Sequence, residues 1–286
     1  MIVAVASGKG GTGKTTVAAS LARIWTPPLQ VVDLDVEAPN LHLFLKPDIQ
    51  GRETAHMTVP QADEAKCTAC GKCAELCQFK AISVLGGYLL TFPEMCHGCG
   101  GCMAICPEGA ITNGRRDLGE LLWGTTNGAD FIMGRLRVGE AMSPPLMRKV
   151  QERYNTQGDV IADAPPGTSC PAMTAVENAD VILLVGEPTP FGFHDLKLAR
   201  EAFAPMEKPM GVVINRAGLG DDSLHTYCRT TGLPILMEIP FDRDIAYAYS
   251  NGLVISELGP KYEKLFQDLA LSIRQLNESK PEARHA

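Results

Sequence analysis

Gly8-Lys9-Gly10-Gly11-Thr12-Gly13-Lys14-Thr15 is the stretch on which the fold turns. It fits G-x4-G-K-[ST], a glycine-rich loop whose backbone N–H groups can wrap a polyphosphate. An apolar run, Ile2–Ala6, precedes it. A segment of helical spacing, Lys14–Ile24, follows, with Val17, Leu21 and Ile24 on one face. Strand, loop and helix in this order predict the start of a parallel α/β sheet. Lys14 is expected to reach the β- and γ-phosphates of ATP and Thr15 to bind Mg2+ through its hydroxyl. Gly8, Gly10, Gly11, Thr12, Gly13 and Thr16 complete the expected cradle.

Outward from the loop, residues 29–34 read as a second buried strand ending near Asp33 and Asp35. Residues 160–162, 181–185, 210–214 and 235–239 are further buried-strand candidates. Helical stretches lie between them, such as 196–204. Residues 261–276 place Leu265, Leu269, Ile273 and Leu276 on one stripe, the pattern of a core-packing helix. The tail, 277–286, reads as unstructured.

Between about 57 and 113 the periodicity stops and cysteines take over. Cys67, Cys70, Cys73 and Cys77 form one C-x2-C-x2-C-x3-C run; Cys96, Cys99, Cys102 and Cys106 form another, 29 residues on and followed by Pro107. The same offset relates Ala81 to Ala110 and Ile82 to Ile111, which predicts a small pseudo-twofold unit. The pattern is that of a two-cluster bacterial ferredoxin, in which the fourth thiolate of each 4Fe–4S cluster comes from the other run. The expected sets are therefore Cys67, Cys70, Cys73 with Cys106, and Cys96, Cys99, Cys102 with Cys77. Structural zinc, built from paired C-x2-C knuckles, fits two such triplets poorly. Gly71, Gly98, Gly100 and Gly101 are expected to let the backbone approach the clusters. Gln78 stands where the second run has Pro107, a departure expected to affect packing and not ligation. His97 reads as a solvated loop residue or a tuner of potential. Of the two remaining cysteines, Cys228 reads as a small apolar helix residue. Cys170 reads as a structural or partner-facing thiol; its spacing from Asp163 resembles that of a cluster-ligating cysteine in nitrogenase iron protein, a resemblance that implies a bridging cluster as the alternative.

Bulk properties exclude several classes. With 26 Lys and Arg against 33 Asp and Glu, the net charge is −7, which argues against broad nucleic-acid binding. No apolar run approaches the roughly 20 residues that span a bilayer. The first residues lack a basic leader and run straight into the phosphate loop. Cysteines confined to metal-ligand spacing point to a reducing, cytoplasmic setting, not to disulfides.

The second lysine of the loop, Lys9, makes the chain resemble the deviant-Walker P-loop ATPases of the MinD/Mrp group, relatives of nitrogenase iron protein. Asp33-Leu34-Asp35 with Pro39-Asn40 resembles their switch I. Asp163-Ala164-Pro165-Pro166-Gly167 resembles their Walker B and switch II segment. The resemblance implies an ATP-dependent homodimer in which Lys9 contacts the partner's nucleotide. It implies Asp35 as the residue that polarises the attacking water, and Asp33 and Asp163 as supports for Mg2+. Gly167 would sense the γ-phosphate. Asn215 would contact adenine beside Arg216, and Pro240 and Asp242 would enclose the base.

The expected architecture is a P-loop α/β domain, 1–59 and 116–286, with a mostly parallel sheet covered on both faces. A ferredoxin-like α+β domain, 60–115, is inserted in it. The expected activity is ATP hydrolysis serving assembly of a metallocluster or metalloprotein. The alternatives are ATP-gated electron donation to a partner protein, or a positioning ATPase with structural clusters.

Overall fold

The computed structural model describes residues 1–279. The chain divides into two compact units, each built from separate stretches of sequence. The first comprises Met1–Glu53, Leu121–Arg135 and the described chain from Met147 onward; the second comprises Thr54–Glu120 and Leu136–Leu146.

The first unit opens with β1 (Ile2–Ala6), α1 (Lys14–Ile24), β2 (Leu29–Asp33) and α2 (Leu41–Leu45). Strand β3 (Asp48–Ala62) starts in this unit and leaves it. In the second unit follow α3 (Lys72–Leu76), β4 (Ile82–Leu85), β5 (Tyr88–Thr91) and α4 (Gly101–Ile105). Strand β6 (Ile111–Thr126) returns to the first unit and turns into β7 (Ala129–Leu136). After α5 (Pro144–Gln151) come β8 (Asp159–Asp163), α6 (Cys170–Val176), β9 (Val181–Gly186) and α7 (Pro190–Phe203). The chain ends with β10 (Met210–Ala217), α8 (Ser223–Thr231), β11 (Ile235–Pro240), α9 (Arg243–Ser250) and α10 (Pro260–Glu278).

Among the described residues the large sheet runs β11-β10-β9-β1-β8-β2-β7-β6-β3. Neighbours from β11 through β7 are parallel. Such strands are buried on both faces, which explains why β1 (IVAVA) and β9 (VILLVG) are continuous apolar runs. One face packs Val3, Val5, Val31, Ile161, Leu183 and Val213 against Val17 and Leu21 of α1 and Phe266, Leu269 and Ile273 of α10. On the other face Leu196 of α7 lies against Gly186. No helix among the described residues is long and apolar enough to cross a membrane.

The second unit has an internal twofold. Helix α4 follows α3 at the 29-residue offset of the cysteine repeat. The halves exchange equivalent hydrogen bonds: Asp63 N–H donates to Ala110 O and Phe92 N–H to Ala81 O, each 2.8 Å. A small core of Cys73, Ile82, Leu89 and Ile111 closes the unit, packed by Cys67, Cys77, Cys102 and Cys106. Arg116, buried, pairs with Glu140 at 3.2 Å and donates to the Pro93 carbonyl, which fixes the turn leading into Cys96.

The structure departs from the sequence expectations in four places. The second unit is wider than 60–115, because those limits fall inside the long strands β3 and β6. Strands β3, β6 and β7 were not foreseen. Much of β3 is exposed and polar, and burial alternates along it only over residues 55–59. The β6–β7 hairpin turns on Asn127-Gly128, both at positive φ (47° and 80°), a strong turn signal that the cysteine-rich reading passed over. In α10 the buried stripe is Tyr262, Phe266, Leu269 and Ile273. Leu265 and Leu276 flank it half-buried, because the aromatic pair takes the core-facing positions. Finally, α10 continues through Glu278, so residues 277 and 278 are helical; residues 280–286 of the expected tail lie outside the described residues.

Candidate functional site

Strands β1, β8 and β2 lie side by side, and their carboxyl ends carry the site. Register fixes its layout: Val5 is level with Asp163, and Asp163 with Asp33. This is the edge at which open α/β sheets bind ligands. The loop leaves β1, exposes Gly10 and Gly11 at its tip, and buries Thr12, Lys14 and Thr16 as α1 begins. The helix therefore points its positive end at the loop, a favourable place for phosphate. Gly8 is required by close packing, since a Cβ there would lie 1.9 Å from the backbone oxygen of Asp195 in α7. Gly13 caps α1 at φ 98° and faces Asn215, whose Nδ2 donates to Thr12 O at 2.8 Å. Gly8→Ala is expected to push α7 off the loop, destabilising the protein by roughly 1–3 kcal/mol and weakening nucleotide binding. Thermal unfolding and nucleotide titration check this.

Two carboxylates are fully buried at this edge. Asp33 spends both oxygens on the backbone of the segment that follows it. Its Oδ1 accepts from Asp35 N–H at 3.1 Å, and its Oδ2 accepts from Asn40 and Leu41 N–H at 3.0 Å each. Asp163 Oδ2 accepts the Thr15 hydroxyl at 2.5 Å. Its Oδ1 is buried with no hydrogen-bond partner among the described residues. Burial raises the affinity of both carboxylates for protons, and the Asp163 charge adds to the effect at Asp33. Asp35 is also raised by burial, with Lys14 opposing. The Lys14 ammonium is lowered by burial, while Asp163 and Asp35 favour its charge. A hydroxyl beside a carboxylate with one unused oxygen is a hard-oxygen donor set, which suits Mg2+. Gly167, at φ 96°, gives its N–H to Ser7 O at 2.9 Å, so that donor is engaged by the loop itself.

The residues expected to meet the base lie at the carboxyl ends of β10 and β11 and at the start of α9. Asn215 and Arg216 end β10 beside the phosphate loop, and Arg216 Nη2 donates to Gly11 O at 3.3 Å. Pro240 ends β11 level with Ala217. Asp242 caps α9 by accepting from Asp244 N–H at 2.9 Å and takes the Tyr262 hydroxyl at 2.8 Å. Lys9 turns inward and pairs with Glu187 of its own chain.

In the second unit the eight repeat cysteines sort by space, not by sequence order. Cys67, Cys70, Cys73 and Cys106 line one cavity. Cys77, Cys96, Cys99 and Cys102 line another. Backbone N–H groups already point at the sulfurs: Ala69 to Cys67 Sγ at 3.4 Å, Gly98 to Cys96 Sγ at 3.3 Å and Ala110 to Cys106 Sγ at 3.3 Å. Soft thiol donors with N–H···S support, arranged around a space, fit an iron–sulfur cluster. Cys70 and Cys99 are exposed at the cavity rims. His97 stacks on Phe79, centroids 3.4 Å apart, over the second cavity. Cys228 is buried on α8, where burial pushes its thiol up to about 11. Cys170 is exposed as the first residue of α6.

The sequence model of the CobQ/CobB/MinD/ParA nucleotide-binding domain matches residues 3–255. The chain belongs to this family. It is a P-loop ATPase. An uncharacterised protein of Methanocaldococcus jannaschii, MJ0578, is 29% identical over 282 residues, covering 96% of this chain and 97% of its own. The iron-sulfur cluster carrier protein of Aquifex aeolicus is 26% identical over 304 residues, covering 98% of this chain and 68% of its own. Among solved structures, the septum site-determining protein MinD of Pyrococcus horikoshii, complexed with Mg-ADP, superposes with a TM-score of 0.58 at 19% identity. That match covers 98% of each chain. At this identity the likeness carries the fold.

Glu187 is the site residue that sequence reading of the ATPase missed. It directly follows β9 next to the phosphate loop, and its signal is an acidic residue just past the carboxyl end of an apolar strand run.

Proposed function

We propose that this ATPase couples Mg-ATP hydrolysis in a homodimer to two 4Fe–4S clusters and serves the assembly of a metallocluster or metalloprotein. The crossed sorting of the cysteines into two cavities carries the reading, because it is the arrangement that a two-cluster ferredoxin uses. Cys67, Cys70, Cys73 and Cys106 would hold one cluster, and Cys96, Cys99, Cys102 and Cys77 the other. Such clusters supply one-electron transfer. At the nucleotide site Lys14 would neutralise the phosphates, and Thr15 and Asp163 would hold Mg2+. Asp33 would fix the backbone that presents Asp35 to water. Similarity to an iron-sulfur cluster carrier protein supports a role in assembly. Four thiols per cavity favour retention of the clusters, so electron supply during assembly is the form of that role that we favour.

A second reading, ATP-gated electron donation to a redox partner protein, is favoured by Cys70 and Cys99 at exposed rims. Anoxic purification with iron counting, absorption and spin-resonance spectra, with and without ATP, tests both. Expected are two clusters per chain. Iron passing to an apo-acceptor on ATP addition favours delivery of these clusters. Oxidation that depends on ATP, without iron loss, favours electron supply. Absence of iron sinks the cluster reading and leaves the ATPase intact.

A further inference from the structure

Glu187 is buried beside the phosphate loop as a fourth carboxylate, after Asp33, Asp35 and Asp163, and the fold holds it there. Its Oε1 accepts from Lys9 Nζ and from the Thr189 hydroxyl, the latter at 3.2 Å. Its Oε2 accepts from Arg216 Nη1 at 2.7 Å. Thr189 is itself fixed, as the N-cap of α7 accepting from Gly192 N–H at 3.1 Å. The backbone around it is wedged: a Cβ on Gly192 would lie 2.3 Å from Glu187 Cγ, and one on Gly220 would lie 1.7 Å from Pro188 O. The Glu187 side chain is 6% exposed, that of Lys9 30%. Burial alone would raise the Glu187 carboxyl, but Lys9, Arg216 and Thr189 outweigh it, and the group is held below its ordinary range. One charged carboxylate thus has two cations.

That surplus has a mechanical meaning. Lys9 can leave without orphaning Glu187, because Arg216 remains to neutralise it. Arg216 in turn touches the loop tip through Gly11 O, and its neighbour Asn215 holds Thr12 O. Nucleotide seated on residues 10–13 must meet the same backbone that these two side chains grip. We propose that Glu187 is a positioning residue that latches Lys9 within its own subunit, setting the threshold at which two nucleotide-loaded copies close, with Arg216 reporting nucleotide occupancy to the latch. The threshold part rests on the homodimer reading above; the latch itself does not.

The test uses the full chain and Glu187→Gln, which keeps the size and one acceptor oxygen and removes the charge. In nucleotide-free protein, acylation of Lys9 by an amine-reactive ester, read by peptide mass spectrometry, should rise about 5-fold or more; tenfold corresponds to about 1.4 kcal/mol. With a non-hydrolysable ATP analogue, sedimentation should show dimers at roughly tenfold lower protein concentration. Glu187→Asp, which keeps the charge but shortens the reach, should also free Lys9 and guards against misfolding of the first variant. Unchanged Lys9 acylation in both variants overturns the latch. Faster acylation with unchanged dimerisation overturns the threshold role. If the wild type forms no dimer with the analogue, the homodimer reading fails, and the acylation contrast still decides the latch.

Discussion

Lys14→Ala is expected to abolish ATP hydrolysis, lowering kcat by roughly 10²–10³-fold or more, since one preorganised donor on developing charge is worth about that much. Lys14 is the buried cation of a site whose other buried charges are acidic. Burial weakens its hold on a proton, and Asp163 and Asp35 oppose that effect. The carboxylates thus favour the charged ammonium, and it in turn favours the charged form of both. Removing it leaves Asp163 beside Asp33 with no compensating charge, so phosphate and Mg2+ would both bind poorly. The second unit has its own core and its own cysteines. Its iron content should therefore not change. Phosphate release assays and iron determination on the same preparation check both halves. Turnover within a few-fold of wild type would refute the site.

The second large effect separates spatial from sequential pairing of the cysteines. Cys67→Ser with Cys106→Ser removes two thiols of one cavity; the iron content should fall to about half, and one cluster spectrum should survive. Cys67→Ser with Cys77→Ser removes two thiols of one sequence run but one from each cavity, and both clusters should be lost or degraded. If each run held its own cluster, the two outcomes would be exchanged. Iron counting with low-temperature spin-resonance spectra decides between them.

The parts legible in the sequence are those written in local chemistry. The phosphate loop needs glycine at particular contacts, and Gly8 against Asp195 shows why no other residue fits there. Strands β1, β8 and β9 were readable because burial on both faces demands unbroken apolar runs. The 29-residue offset is visible as hydrogen bonds at equivalent positions. What was not legible depended on partners distant in sequence. Strand β3 is half polar, and its membership of the sheet is fixed by β6, some 60 residues on. Leu269 and Ile273 of the α10 stripe were legible, but Tyr262 and Phe266, not Leu265 and Leu276, fill its other core-facing positions. The pairing of Lys9 with Glu187 joins residues 178 apart in sequence, and no local pattern announces it.

The level placement of Asp33 and Asp163 on adjacent strands bears on how this protein could be engineered. Two acids at 0% exposure, side by side at the carboxyl ends of two central strands, are an arrangement that a chain selected for stability alone would discard. An apolar residue of similar volume at Asp163 would be expected to give a more heat-resistant and inactive fold. Searches for thermostable variants will be drawn to this position first, and they will need activity as a second criterion to avoid it. The same reasoning marks the pair as a point of decay: a lineage released from the need for nucleotide would be expected to lose these two acids before it lost the sheet around them.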